Sequence, residues 1–286
     1  MPTPPEPASE NANPRTSSPY VGNVVLIGAG KMGGALLEGW ISLGVDPADI
    51  VVIEPQPAAS IEALSARGLR INPAPASIRP DAIVIAVKPQ IAPEIMPHVA
   101  SLMSPSTVVV SIMAGRTIAF LAGILSREAA VVRAMPNTPA AIGRGITVAV
   151  PNSQVDHAQR QLADALLTAT GVVEWIDDET LMDAVTAVSG SGPAYVFLLT
   201  ESLARAGQKA GLPAELAQRL ARATVMGSGE LLQRSSIDAA VLRQNVTSPG
   251  GTTAAALDVL MAPDGLDRLM ERAVAAATRR GRELAG

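Results

Sequence analysis

Apolar positions along this chain follow two regimes. Up to about residue 176 they come in short runs separated by polar stretches rich in Gly and Pro; beyond it they recur at helical spacing among Ala, Leu and charged residues. The runs predict strands at 24–27, 50–54, 82–87, 107–111, 130–135, 146–150 and 172–175. The early ones are continuous rather than alternating, the pattern of a parallel sheet covered on both faces. Helical patterns lie between several of them, for example 58–67 and 154–168. Strand and helix alternation over 21–176 predicts a doubly wound α/β domain.

From Asp177 the strand signals stop. Residues 177–211, 213–233, 239–245, 252–261 and 266–284 read as helices, so 177–286 is expected to form an all-helical second domain. Asp177-Asp-Glu179 suits a helix N-terminus. Ser189-Gly-Ser-Gly-Pro193 interrupts the first helix. Each glycine costs about 1 kcal/mol in a helix interior, and Pro193 removes a backbone donor. A kink or a close helix–helix contact is expected to compensate. So apolar a helical domain is also expected to bury surface against a second subunit. The first 20 residues are rich in Pro, Ser and Asn, with little that is apolar, and read as a disordered tail.

Composition narrows the function. With 48% hydrophobic and 17% charged residues the 286-residue chain can bury a large core, filled by aliphatics because aromatics are 2%. The net charge of −4 and the lack of a basic run argue against nucleic acid. There is no cysteine, which excludes disulfides and thiolate chemistry. His98 and His157 lack ligand-like company, so no metal is expected. The longest apolar runs are too short to span a bilayer, and a cytoplasmic protein is expected.

The chemistry points to a dinucleotide. Val24 to Ile27 run into Gly28-Ala29-Gly30-Lys31-Met32-Gly33, after which the period becomes helical. In a strand–turn–helix unit Gly28 permits the tight turn, Gly30 lets backbone approach a pyrophosphate, and Gly33 lets helix and strand pack closely. The helix N-terminus favours phosphate. Glu54 closes the second strand about 20 residues on, where an acid accepts hydrogen bonds from an adenosine ribose and repels a 2′-phosphate. That favours NADH over NADPH. Lys88-Pro89 and the small residues to Gly115 leave the third and fourth strands at the edge where open sheets bind ligands. Arg133-Ala-Met-Pro-Asn-Thr-Pro139 reads equally as a site wall or a rigid turn. Ser248-Pro-Gly-Gly-Thr-Thr253 opens a helix that Ser248 or Thr252 can cap, with glycine N–H groups free to form a nest for a carboxylate.

These stretches together resemble pyrroline-5-carboxylate reductase. The most specific are Asp183-Ala-Val-Thr-Ala-Val-Ser-Gly-Ser-Gly-Pro-Ala-Tyr195 and Val246-Thr-Ser-Pro-Gly-Gly-Thr-Thr253; Ala86-Val-Lys-Pro89, Ser111 to Gly115 and Met135-Pro-Asn-Thr-Pro139 support them. The resemblance runs from about residue 22 to the C-terminus. It implies an N-terminal Rossmann-like domain and a C-terminal all-helical dimerisation domain, with an active site between them that takes helices from the partner. It implies reduction of Δ1-pyrroline-5-carboxylate to L-proline, the last step of proline biosynthesis, by hydride from NAD(P)H. Ile27, Gly28, Ala29, Gly30, Lys31, Met32 and Gly33 would then hold the pyrophosphate. Ala86, Val87, Lys88, Pro89, Ile112, Met113 and Ala114 would flank the ribose and nicotinamide, with Asn245 also facing the cofactor. Ser248, Gly251, Thr252 and Thr253 would hold the substrate carboxylate, and the Thr253 hydroxyl would face the imine nitrogen. Relatives often use NADPH, whereas Glu54 stands where many of them carry small or polar residues; both cofactors stay open. The alternatives are an imine reductase for another cyclic imine acid and a silent dinucleotide-binding regulator. A β-hydroxyacid dehydrogenase would need a lysine in the interdomain helix, and 183–195 has none.

Overall fold

A computed structural model describes residues 22–285; the tail expected over 1–20 lies outside them. Eight strands form one sheet: β1 Val24–Ile27, β2 Ile50–Ile53, β3 Arg70–Ile71, β4 Ala82–Ile85, β5 Val108–Ser111, β6 Ala130–Met135, β7 Gly145–Pro151 and β8 Gly171–Trp175. Their spatial order is β3-β2-β1-β4-β5-β6-β7-β8. Helices α1 Lys31–Ser42, α2 Ala59–Glu62, α3 Ala92–Leu102, α4 Ile118–Leu125 and α5 His157–Thr168 connect them.

The continuous apolar runs are explained by burial on both faces. Val24 and Leu26 pack on one side with Leu36, Leu37 and Trp40 of α1 and Leu166 of α5. Val25 and Ile27 pack on the other with Met96 and Val99 of α3 and Leu121 of α4. The indole of Trp40 donates to the Leu166 carbonyl at 2.8 Å, tying α1 to α5.

Several boundaries move. β2 and β4 stop at Ile53 and Ile85, so Glu54, Ala86 and Val87 belong to the strand exits. β3 has two half-buried residues and no apolar run to reveal it. The helix expected at 58–67 is α2 followed by a 3₁₀ turn. α5 starts at His157 because Asp156 and Gln159 form a reciprocal capping box. β7 runs antiparallel to β6, a departure from double winding: the segment between Met135 and Gly145 is too short for a parallel crossover.

The helical half also differs from its expected outline. Residues 177–211 are not one helix. A 3₁₀ turn at Glu179–Leu181 leads into α6 Met182–Val185, a π-turn at Thr186–Gly190, and α7 Gly192–Lys209. The Ser191 N–H donates to Thr186 O, five residues back, at 2.9 Å. Pro193 falls in the first turn of α7, where its missing N–H leaves nothing unpaired. A Cβ on Gly190 would sit 2.7 Å from Met135 Cε. The interruption takes the form of the π-turn, and the close contact at Gly190 is with strand β6 rather than with another helix. α8 Ala214–Arg234 packs along α7, and α9 Ala239–Asn245, α10 Thr252–Leu260 and α11 Leu266–Ala285 follow. α11 returns to pack on α6 and the π-turn. α9 and α10 have no buried residue.

Candidate active site

The carboxyl ends of β1, β2, β4 and β5 open on a crevice edged by the glycine turn and α1. Gly28 has φ +89°, and a Cβ there would lie 2.7 Å from Val87 Cγ1 and 2.8 Å from Ala86 O. A Cβ on Gly33 would meet Gly28 O and lie 3.1 Å from Ala86 Cβ. Gly30 differs: a Cβ there would meet nothing within 4 Å. Two glycines are therefore required by the fold, and the third opens a surface beside the N-terminus of α1. No side chain caps that terminus, so its first N–H groups are left for an anion. This cradle fits a pyrophosphate.

Glu54 stands at the next strand end. Its carboxylate accepts from the N–H of Ala29 at 2.9 Å and of Gln56 at 3.1 Å. Asn72, in the left-handed region at φ 47°, braces the exit: its side chain accepts from Glu54 N–H and donates to Glu54 O. A cavity of about 510 Å³ is lined here by Gly30, Lys31, Glu38, Glu54, Gln56 and Ser60, among others.

The exits of β4 and β5 form two lips farther along. The first holds Ala86, Val87, Lys88 and Pro89, with Lys88 exposed. The second holds Ile112, Met113 and Ala114, and Ile112 N–H donates to Ile85 O at 3.0 Å. The side chains of Ile27 and Met113 are buried in the core at 3% and 2% exposure, so only their main chain borders the crevice. In the Arg133–Pro139 segment Asn137 accepts from the Ile146 N–H at 3.0 Å, which fixes the turn. Arg133 itself is buried and pairs with Glu179 at 2.9 Å.

The Ser248–Thr253 stretch is a tight turn into α10. Gly250 has φ +69°, and Gly251 N–H donates to Ser248 O at 3.0 Å. The N-cap is Gly251, with no side-chain cap. Neither Ser248 nor Thr252 caps the helix, contrary to expectation, so the first amides of α10 remain without a side-chain acceptor. None of residues 245–253 lines the cavity at the Glu54 end of the crevice.

One participant, Arg116, and one pairing, Arg133 with Glu179, did not show in the sequence. Arg116 donates from Nε and Nη2 to Pro89 O at 3.2 and 2.9 Å, joining the two lips. Arg133 and Glu179 join the sheet domain to the first turn of the helical half. Both contacts are made to partners distant in sequence.

The sheet, the glycine turn and the appended helical domain define a two-domain dinucleotide-binding oxidoreductase. Residues 23–115 match the profile described as NADP oxidoreductase, coenzyme F420-dependent, and residues 179–284 match pyrroline-5-carboxylate reductase dimerisation. The pyrroline-5-carboxylate reductase of Pseudomonas aeruginosa is 41% identical over 264 residues, 92% of this chain and 96% of the relative. That of Synechocystis is 39% identical, over 91% and 97%. The solved reductase of Coxiella burnetii superposes with a TM-score of 0.86 at 32% identity, covering 93% of this chain and 100% of that one. The Plasmodium falciparum enzyme, solved with NADP bound, gives 0.77 at 30% identity, covering 92% and 98%. The chain belongs to the pyrroline-5-carboxylate reductase family.

Proposed function

We propose that this chain reduces Δ1-pyrroline-5-carboxylate to L-proline with a reduced nicotinamide dinucleotide. The open space at Gly30 beside an uncapped helix N-terminus carries the cofactor half of this reading. A bound NADH or NADPH supplies the hydride. The residues of the chain bind, orient and screen. The Gly28–Gly33 turn holds the pyrophosphate, and the lips at 86–89 and 112–114 wall the nicotinamide end. Asn245, just before the Ser248–Thr253 nest, faces the cofactor from the subunit that supplies that nest.

The substrate half is assigned to Ser248, Gly251, Thr252 and Thr253. Free amides at the start of α10 suit a carboxylate. A protonated cyclic imine accepts hydride readily, so no strong acid is needed. Holding the ring by its carboxylate supplies proximity and orientation. The Thr253 hydroxyl serves the ring nitrogen by hydrogen bonding. α9 and α10 have no buried residue in the single chain, and the helical domain is the family's dimerisation domain. We therefore assign to each crevice the nest of a partner subunit.

NADH is the cofactor this crevice favours. Glu54 and Glu38 line its outer cavity against Lys31 alone, and Glu54 is fixed by two amides. A 2′-phosphate there meets like charge. The test is dinucleotide oxidation with pyrroline-5-carboxylate, NADH and NADPH in parallel. The expected result is imine-dependent oxidation with higher kcat/KM for NADH. No oxidation with either would refute the activity; higher kcat/KM for NADPH would refute the role given to Glu54.

A further inference from the structure

The two lips are held together by one side chain. Arg116 follows the second lip, in the turn between β5 and α4. Its Nε and Nη2 converge on the carbonyl of Pro89, at 3.2 and 2.9 Å. Its guanidinium carbon lies 4.6 Å from the centroid of the Phe120 ring, on α4. The residue is half-buried. The same turn is backed from the other side: a Cβ on Gly115 would lie 3.4 Å from Leu284 O, in the last turn of α11.

The chemistry suits arginine. A planar fork places two N–H groups on one carbonyl while its face stacks on a ring; a lysine ammonium does not do both. Pro89 has no N–H, and its carbonyl is the acceptor the fork engages. The bond ties the exit of β4 to the exit of β5, the walls between which a nicotinamide would lie.

We infer that Arg116 is a positioning residue: it sets the separation of the lips and so the affinity for the nicotinamide half of the cofactor. This rests on the dinucleotide reading above. The group touches neither cofactor nor substrate and acts through Pro89. Removing it leaves the adenosine end, built by Gly28–Gly33 and Glu54, as it was.

The test is binding by calorimetry to the full chain, with ADP and with the dinucleotide the parent prefers as probes. Arg116→Ala is expected to weaken dinucleotide binding about tenfold, as loss of a charge-assisted bond does. ADP binding is expected to stay within about twofold, since ADP lacks the nicotinamide half. In turnover the loss should fall on KM for the dinucleotide more than on kcat. Arg116→Lys should recover only part of it. Phe120→Leu keeps both hydrogen bonds and should give a smaller loss of the same kind; it carries the test if Arg116→Ala does not fold. Dinucleotide affinity unchanged in a folded variant, or equal loss for both probes, would overturn the inference. A parent that binds ADP but no dinucleotide would instead overturn the reading beneath it.

Discussion

At the scale of the residue, the three glycines of one turn have different jobs. Gly28 and Gly33 leave no room for a Cβ, whereas Gly30 meets nothing within 4 Å. Gly28→Ala and Gly33→Ala are therefore expected to lower stability, by about 1–3 kcal/mol for overpacking and backbone strain. Gly30→Ala is expected to melt like the parent and to bind dinucleotide at least about tenfold more weakly, equivalent to about 1.4 kcal/mol. Thermal unfolding and calorimetry on the three variants check this; a Gly30→Ala protein with parental affinity would contradict the cradle. Thr253→Ala should lower kcat/KM by tens to hundreds without abolishing turnover, the effect of losing one hydrogen bond to a charged group, about 1.5–3 kcal/mol. An unchanged kcat/KM would remove Thr253 from the chemistry. The glycine turn was legible in the sequence because each glycine answers a local backbone need. Arg116 was not, because its partner, the Pro89 carbonyl, comes near only once β4 and β5 pair in the sheet.

At the scale of the element, the break in the first long helix is the instructive feature. Ser189 to Pro193 announced a disturbance, and the π-turn at Thr186–Gly190 is its form. What the sequence did not announce is the support beside it. Glu179 accepts from buried Arg133 on β6 at 2.9 Å and from the N–H of Ile118, which opens α4, at 2.8 Å. One carboxylate oxygen thus joins the sheet, a helix N-terminus and the start of the helical domain. Glu179→Ala would leave Arg133 buried, with 6% of its side chain exposed, and unpaired. A loss of about 3 kcal/mol is expected, at the lower end for a broken buried pair because Glu179 keeps some solvent contact. Urea unfolding measures it; a loss below about 0.5 kcal/mol, the range of ordinary surface changes, would contradict the role. The strand pattern was legible because burial on both faces writes itself as continuous apolar runs. The antiparallel β6–β7 pair was less so, since direction depends on the connection rather than on the strand.

At the scale of the whole molecule, the helical half leaves large apolar side chains uncovered. Phe197 is 64% and Met226 65% exposed, and both line one groove between α7 and α8. This is the family's dimerisation domain, and a second copy packed on this groove would cover what the single chain leaves bare. Phe197→Glu with Met226→Glu should shift the protein to monomer in sedimentation, with its helicity kept and its imine reduction lost. A fully active monomer would contradict a shared site. Among the described residues, no helix is long and apolar enough to cross a membrane. The need for a partner was legible as an excess of apolar helix and in the resemblance; on the reading proposed above, crevice and nest meet only across two chains.

The most direct test of a site built from one chain's crevice and another's nest is complementation. Gly30→Asp removes the cradle and Thr253→Ala weakens the nest. Each variant alone should be poorly active. Co-expressed and purified as the mixed dimer, they leave one of two sites intact, so about half the parental rate should return. A mixed dimer no faster than the mean of the two single variants would show that crevice and nest belong to the same chain, and the account would fail.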